Sequence, residues 1–244
     1  MDKLYQKQLE QLRQRIPIGL KYGQTLLEIT NGDLDKAEQH FADKMIALTS
    51  NKTGVKQDVA IRHLKKCNYD IALTIKSINE ERYTLTELVL IKYKDNKEEA
   101  LDKIVSIIEE KYQLRRNYWF DFDALKKLSS EQYCFMTIME WLNYENWEDY
   151  QTALTFHFDI VIEQIDKNLG LYDLSDSLKN AKAILTLVYE KNEIQKEHNH
   201  YIKATNELRE NDDFQKNETE FKKQRPLLIS SLYELIQNNI SQFP

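Results

Sequence analysis

The N-terminal third of this chain contains an internal repeat with an offset of 37 residues. A loop precedes each copy, at residues 16–19 and 53–56. Asn31-Gly32-Asp33 is typical of a turn that ends one helix and caps the next. Each copy is therefore predicted to be a three-helix unit of about forty residues. The matched positions are Leu27 with Leu64, Asn31 with Asn68, Asp33 with Asp70, Leu34 with Ile71, and Phe41 with Ile78.

A weaker third copy follows at an offset of 63 residues. It places Leu90 on Leu27 and Ala100 on Ala37, but Lys97 stands where the first copy has Leu34. Residues 81–112 are accordingly either a degenerate third unit or connecting helices.

Composition supports a folded helical protein. The 244 residues include only 5 Gly and 3 Pro, while 41% are hydrophobic and 11% aromatic, which favours long helices and excludes a disordered chain. Residues 1–78 hold 13 Lys or Arg against 9 Asp or Glu, and the remainder holds 21 against 31, which indicates two domains. The fold is predicted to be all-α, with tandem units in residues 1–80 and a helical bundle in residues 113–244.

The N-terminal motif resembles a known family. The run Leu12–Leu20, with Leu27 and Asn31–Ala37, is similar to the N-terminal domain of bacterial elongation factor Ts. The family pattern is Leu-Arg-x-Arg-Thr-Gly-Ala-Gly-Met, then Leu, then Asn-Gly-Asp-Ile-Glu-x-Ala, and the second copy restores its Thr-Gly at Thr53 and Gly54. The resemblance covers roughly residues 8–80 and implies the ubiquitin-associated (UBA-like) three-helix fold.

The resemblance also implies a function. It implies that the N-terminal units are a protein-binding module for elongation factor Tu or another partner, and that the protein is a translation-associated adaptor. Basic side chains on the helices after the loops could meet an acidic protein, although such clusters also occur on merely solvated helix faces. Nucleic acid is not expected as a partner, because the whole chain carries a net charge of −6. The expected contact residues are Ile18, Gly19, Val55, Lys56, Arg62, Lys65 and Lys66.

The segment Leu128–Asp166 is unusual in charge and aromatic content. It has no Lys or Arg but contains eight Asp or Glu and eight Phe, Tyr or Trp. Carboxylates beside Trp and Tyr suit a cationic protein partner, which predicts an immunity or antitoxin-like inhibitor of a basic toxin or nuclease. Alternatively, the aromatic side chains are core and only the acids are exposed. The expected contact residues are Trp141, Glu145, Trp147, Glu148 and Asp149.

No catalytic motif is present in the sequence. It lacks a phosphate-binding Gly-rich loop, a Gly-x-Ser-x-Gly elbow and a His-Glu-x-x-His helix, so no enzyme activity and no cofactor are expected. Cys134 shares its domain with His157 but has aromatic neighbours, which predicts a buried thiol. Glu193, Glu197 and His200, with His198 nearby, have spacing that a metal could use, but a solvated helix explains them as well.

Further expectations concern the C-terminal region and the location of the protein. Residues 191–225 are predicted to form an exposed helix or a mobile connector, and the apolar run after Pro226 a helix that docks onto the bundle. Cys67 and Cys134 are expected as free thiols. Neither an apolar signal core in Met1–Arg15 nor a long apolar run is present, so a cytoplasmic protein without membrane contact is predicted.

Overall fold

A computed structural model describes residues 5–194 and 198–244 of the chain. It divides into two compact units, Met1–Thr84 and Leu85–Pro244. The all-α prediction is confirmed, since the described strands form only a two-residue antiparallel ladder. The first unit contains α1 (Gln6–Arg15), α2 (Leu20–Ile29), α3 (Leu34–Thr53), α4 (Gln57–Lys66) and α5 (Ile71–Arg82).

The repeated turns of the first unit have the same backbone geometry. Asn31 and its counterpart Asn68 both adopt left-handed conformations, with φ of 51° and 48°. Asp33 then caps α3 by accepting from the backbone N–H of Lys36, and Asp70 caps α5 in the same way. The sequence repeat is thus a repeat of turn structure.

Helix α3 is 20 residues long and contacts two pairs of helices. It packs against α1 and α2, where Ala37 and Phe41 are buried, and also against α4 and α5. A UBA-like arrangement is therefore not established, and the observed feature is a pair of three-helix groups that share α3.

The second unit is a helical bundle with one small ladder. In chain order it consists of α6 (Leu85–Lys92), α7 (Lys97–Tyr112), β1 (Arg116–Asn117), β2 (Trp119–Phe120), α8 (Phe122–Leu125), α9 (Ser130–Trp147), α10 (Tyr150–Ala153), α11 (Phe158–Gln164), a π-helical turn (Ile165–Leu169), α12 (Tyr172–Lys191), α13 (His198–Arg209), α14 (Asp212–Asn238) and a 3-10 turn (Ile240–Gln242).

The helices at residues 85–112 pack within this second unit rather than forming a unit of their own. Asn96 caps α7 by accepting from the backbone N–H of Glu99. Lys94 and Asp95, however, are not among the residues with positive φ, so this turn lacks the left-handed pair of the two repeats. The difference in turn geometry agrees with the weak third match in the sequence.

The prediction of an exposed or mobile segment at residues 191–225 is wrong for the part that is described. Ala204 and Leu208 of α13 and Phe214 and Phe221 of α14 are buried in the core. Helix α14 also begins before Pro226 and continues through it, instead of starting after it. The reason is that neighbouring helices cover a narrow stripe of large apolar side chains, which sequence spacing alone does not reveal.

Among the described residues, no helix has both the length and the hydrophobicity needed to cross a bilayer.

Cys67 and Cys134 are free thiols, and Cys134 is buried.

Candidate functional site

The acidic aromatic segment is divided between the core and the surface. Trp141 is completely buried, and its indole N–H donates to the carbonyl of Ala153 at 2.8 Å. The prediction that Trp141 contacts a partner is therefore wrong. A spacing of three residues rotates the side chain by about 60° at each step along a helix, so the aromatic residues of α9 pass from the core to the solvent.

The exposed part of the segment lies where α9 ends. Trp147 is the last residue of α9 and is 78% exposed, and Glu148 and Asp149 after it are exposed as well. Asp149 caps α10 by accepting from the backbone N–H of Thr152 at 2.6 Å. These three residues, with half-buried Tyr144 and Glu145, are called the Trp147 surface below.

Aromatic packing supports the Trp147 surface from below. The ring of Tyr144 stacks on Phe156 at 4.0 Å and contacts the edge of Trp119 at 4.8 Å. Trp119 belongs to the β1–β2 ladder, whose tip is the exposed Tyr118. The end of α9 is thus held in place by rings from two other segments, which limits the entropy lost when the surface binds a partner.

Glu145 differs from the other acids of this surface. Its partial burial raises the pKa of its carboxyl, while nearby Arg225 and Lys222 act in the opposite direction. The Glu145 carboxylate therefore already interacts with two cations of α14 and is not wholly available to a partner.

One acid of the segment has a structural role that the sequence did not indicate. Glu140 is 1% exposed and accepts from the Arg116 guanidinium at 2.7 Å and from the backbone N–H of Phe120 at 2.6 Å. Burial raises the pKa of this carboxyl, although both hydrogen bonds lower it. Glu140 therefore links the β1–β2 ladder to α9 and is not part of a binding surface.

A cavity of about 380 Å³ opens between α7, α9 and α14. Its central side chain, Arg225, donates to Glu98 of α7 and to Asn146 of α9. These two contacts of Arg225 link α14 to α7 and to α9 at the cavity.

The residues predicted for partner binding in the first unit have mixed surroundings. Ile18 is buried against α1 and α2, so its prediction as a contact residue is wrong. Gly19 and Lys56 are exposed and lie at the starts of α2 and α4, and Val55 is half-buried. The guanidinium of Arg62 pairs with Glu81 at 2.5 Å.

The other two predicted basic residues, Lys65 and Lys66, are exposed at the end of α4. Lysines in the last turn complement the negative end of the helix dipole, so their position has a sufficient local explanation.

Chemical sites are not evident in the described part of the chain. It contains no group of three or more His, Cys, Asp or Glu side chains placed to hold a metal. Of the four residues considered for a metal, Glu197 and the side chain of His198 lie outside the described residues, while His200 Nδ1 is 3.3 Å from the carbonyl oxygen of Glu193. Burial raises the pKa of the Cys134 thiol to about 12, so it is not a nucleophile at neutral pH.

Comparison with known proteins finds a matching family and a relative. The family model of the YfbN C-terminal domain matches residues 84–241, which nearly coincide with the unit Leu85–Pro244. The chain is also 35% identical over 175 residues to the uncharacterized protein YfbN of Escherichia coli (strain K12), covering 72% of this chain and 73% of that protein. No solved structure matches the chain.

These matches correct the resemblance drawn from the N-terminal motif. The identification with elongation factor Ts is wrong, because the family found is that of YfbN and no elongation factor Ts or UBA-like family matches. The motif is a short helix–turn–helix signature that unrelated helical proteins share. Elongation factor Tu was expected as a partner only because of that identification, so this expectation is no longer supported.

Proposed function

The chain belongs to the YfbN family, and from that premise we propose that it acts without catalysis, by binding a basic protein through the Trp147 surface. The partner class that fits is a cationic toxin or nuclease, which the protein would inhibit in the manner of an immunity protein or antitoxin. The proposal places this interaction in the cytoplasm.

The observation that carries the proposal is the exposure of Trp147 between acidic neighbours. An indole that is 78% exposed contributes nothing to the core, whereas at an interface it supplies a large apolar contact area. Glu148 and Asp149 directly follow it and are also exposed. The combination favours a partner that presents Lys or Arg, since such residues pair with carboxylates and stack on indole.

The charge of the second unit supports the same partner class. From Leu85 onward the chain has 20 Lys or Arg against 29 Asp or Glu, and none of the bases lies in Leu128–Asp166. Acidic surfaces of this kind accelerate encounter with cationic proteins, and the acceleration declines as salt is added.

The test is affinity capture from the lysate of the source organism, with the captured proteins identified by mass spectrometry. Wild-type protein is compared with Trp147→Ala, Glu148→Lys and Asp149→Asn, the last of which keeps an N-cap for α10 while removing the charge. Tyr172→Ala is the matched control, because Tyr172 is also an exposed aromatic residue of the second unit, at 65% exposure.

We expect one strongly basic protein to be captured by wild type and by Tyr172→Ala, and to be lost with Trp147→Ala and Glu148→Lys. Purified partner should then bind less tightly as salt increases, and a toxic or nuclease activity of that partner should be inhibited by wild type and by Tyr172→Ala but not by Trp147→Ala or Glu148→Lys. Equal capture by all variants would overturn the proposal.

A further inference from the structure

Tyr118 alone forms the tip of the β1–β2 ladder. Asn117 and Trp119 on either side of it are paired across the ladder, so the chain reverses direction at this one residue. Tyr118 is 88% exposed, which is more than the 78% of Trp147. Its side chain makes no hydrogen bond or ring contact with any residue that the structure describes, so it contributes nothing to the core.

The backbone of Tyr118 has an unfavourable conformation. Its φ of 66° lies in the left-handed region, where the Cβ atom of an L-residue comes close to the following carbonyl oxygen. Glycine and asparagine adopt this region more readily and are the usual residues at such turns. The turn therefore costs free energy that glycine or asparagine at position 118 would avoid.

Two other tyrosines have a positive φ, and packing compensates both of them. Tyr69, with a φ of 58°, contacts the ring of Phe41 at 5.3 Å. Tyr5, with a φ of 66°, packs against the core of the first unit. Tyr118 has the same backbone strain without a compensating contact in the described part of the chain. A strained residue that the fold does not need is a candidate for a functional role.

The strands beside Tyr118 are fixed to the rest of the second unit. The backbone N–H of Phe120 donates to the buried Glu140 at 2.6 Å, and the ring of Trp119 lies 4.8 Å from that of Tyr144. A partner that contacts the tip therefore meets a tyrosine whose backbone is already ordered, which limits the entropy lost on binding.

Tyr118 is also close to the Trp147 surface. Trp119 follows it in the sequence and contacts Tyr144, which precedes Trp147 by about one helical turn of α9. One peptide step, one ring contact and one helical turn therefore separate the two exposed residues. This separation lies well within a protein interface of ordinary size, which covers about 800 Å² of each partner.

The exposed charges near the tip have both signs. Arg115 precedes the ladder and Asp121 follows it, and both residues are exposed. The tip therefore does not determine the charge of a partner by itself. The acids that favour a cationic partner belong to the Trp147 surface, where Glu148 and Asp149 are exposed, and Tyr118 adds an aromatic ring beside them.

We propose that Tyr118 is a second aromatic anchor of the interface between the Trp147 surface and its basic partner, and that its ring contacts a lysine or arginine side chain of that partner. The inference rests on the proposed function and deepens it, because two anchors define the orientation in which the partner docks. Tyrosine and tryptophan are typical anchors, since they bury a large area with little loss of side-chain entropy. Contact with the partner then offsets the free energy that the left-handed turn costs.

The test measures the binding of a fluorescently labelled peptide of twelve arginines to the full chain by anisotropy at low salt. Such a peptide spans about 40 Å when extended, so it can contact both rings at once. A peptide of twelve glutamates is the negative control. Urea unfolding of each variant measures its stability.

The variants separate the ring of Tyr118 from its backbone. Tyr118→Asn and Tyr118→Gly tolerate the positive φ but lack the ring, whereas Tyr118→Phe keeps the ring. Gln113→Gly is the matched control, because Gln113 also has a positive φ, 51°, and is exposed at the end of α7.

We expect Tyr118→Asn and Tyr118→Gly each to weaken binding of the arginine peptide about fivefold, and Tyr118→Phe to leave it within about twofold of wild type. Tyr118→Gly and Gln113→Gly should both unfold at a higher urea concentration than wild type, since each relieves a left-handed residue. Gln113→Gly should bind the peptide like wild type. A tyrosine with only a structural role would not combine higher stability with weaker binding on its replacement.

Three results would overturn this inference, and none of them decides the proposed function. The first is that Trp147→Ala weakens binding of the arginine peptide while Tyr118→Asn and Tyr118→Gly do not. The second is that Tyr118→Gly unfolds at a lower urea concentration than wild type, because the ring would then stabilise the fold. The third is that the arginine peptide binds no better than the glutamate peptide. Capture of the basic partner by the Trp147 and Glu148 variants tests the proposed function separately.

Discussion

Arg116 and Glu140 form an ion pair that joins the β1–β2 ladder to α9, with Nη1 of the arginine 2.7 Å from the carboxylate. The guanidinium also lies 3.6 Å from the centre of the Phe120 ring, and its Nε reaches Glu109 of α7 at 3.3 Å. The Arg116 side chain therefore links the β1–β2 ladder to α7 and to α9. The same ladder carries Trp119, one of the rings that hold the end of α9 in place.

We predict that Arg116→Met destabilises the protein by about 2 kcal/mol, because it leaves the buried Glu140 carboxylate without its countercharge. This loss of stability is smaller than the loss expected on breaking a fully buried ion pair, because Arg116 is 26% exposed. Urea unfolding measures it. Lys126→Met, which breaks the exposed pair with Asp123, is the control and should leave the stability close to that of wild type, because solvent screens an exposed pair. Equal effects of the two substitutions would contradict the structural role of Arg116.

Glu140 should also give the stability a distinctive dependence on pH. Its pKa is raised in the folded state, so between the ordinary value of 4.5 and the raised value the folded protein binds more protons than the unfolded chain. This contribution to stability is fully present below pH 4.5 and is lost as the pH rises through the folded pKa. We expect the unfolding free energy of wild type, relative to Glu140→Gln, to decrease from pH 4.5 upward. Urea titrations of both proteins across this range measure the difference, and an increase with pH would contradict the assignment.

The sequence predicted the local turns of the first unit because their determinants are local. Asn31 and Asn68 tolerate the left-handed conformation, and Asp33 and Asp70 cap the following helices, so these residues alone determine the geometry. The same local character explains why the family identification failed. A turn that depends on a few residues occurs in many folds and does not identify one.

The position of side chains around α9 could not be predicted in the same way. Trp141 and Trp147 have similar neighbours in sequence, yet one is buried and the other exposed, because burial depends on α14 packing against one face. Phe221 makes that contact from α14, a helix whose many charged residues favoured the prediction that it is exposed.

The two thiols should differ in reactivity. Cys134 is completely buried with its pKa raised to about 12, whereas Cys67 is half-buried at the end of α4. A thiol reagent at pH near 8 should therefore modify one cysteine in the native protein and two after unfolding in guanidinium. In Cys67→Ser no native thiol should react. Rapid reaction of two thiols in the native wild-type protein would contradict the burial of Cys134.

Gly32 should be the most sensitive glycine of the repeated turns. Its φ of +79° disfavours any side chain, and a Cβ there would lie 2.6 Å from the ring of Tyr5. Gly54 has a φ of +69° with nothing within 4 Å of its Cβ position, so Gly54→Ala isolates the backbone strain, about 1 kcal/mol. Gly32→Ala should cost at least about 1 kcal/mol more, since the Tyr5 ring must move. Tyr5→Ala should remove this excess in the double variant, as measured by a double-mutant cycle of urea unfolding. Equal losses for the two glycine substitutions would show that Tyr5 does not pack on the turn.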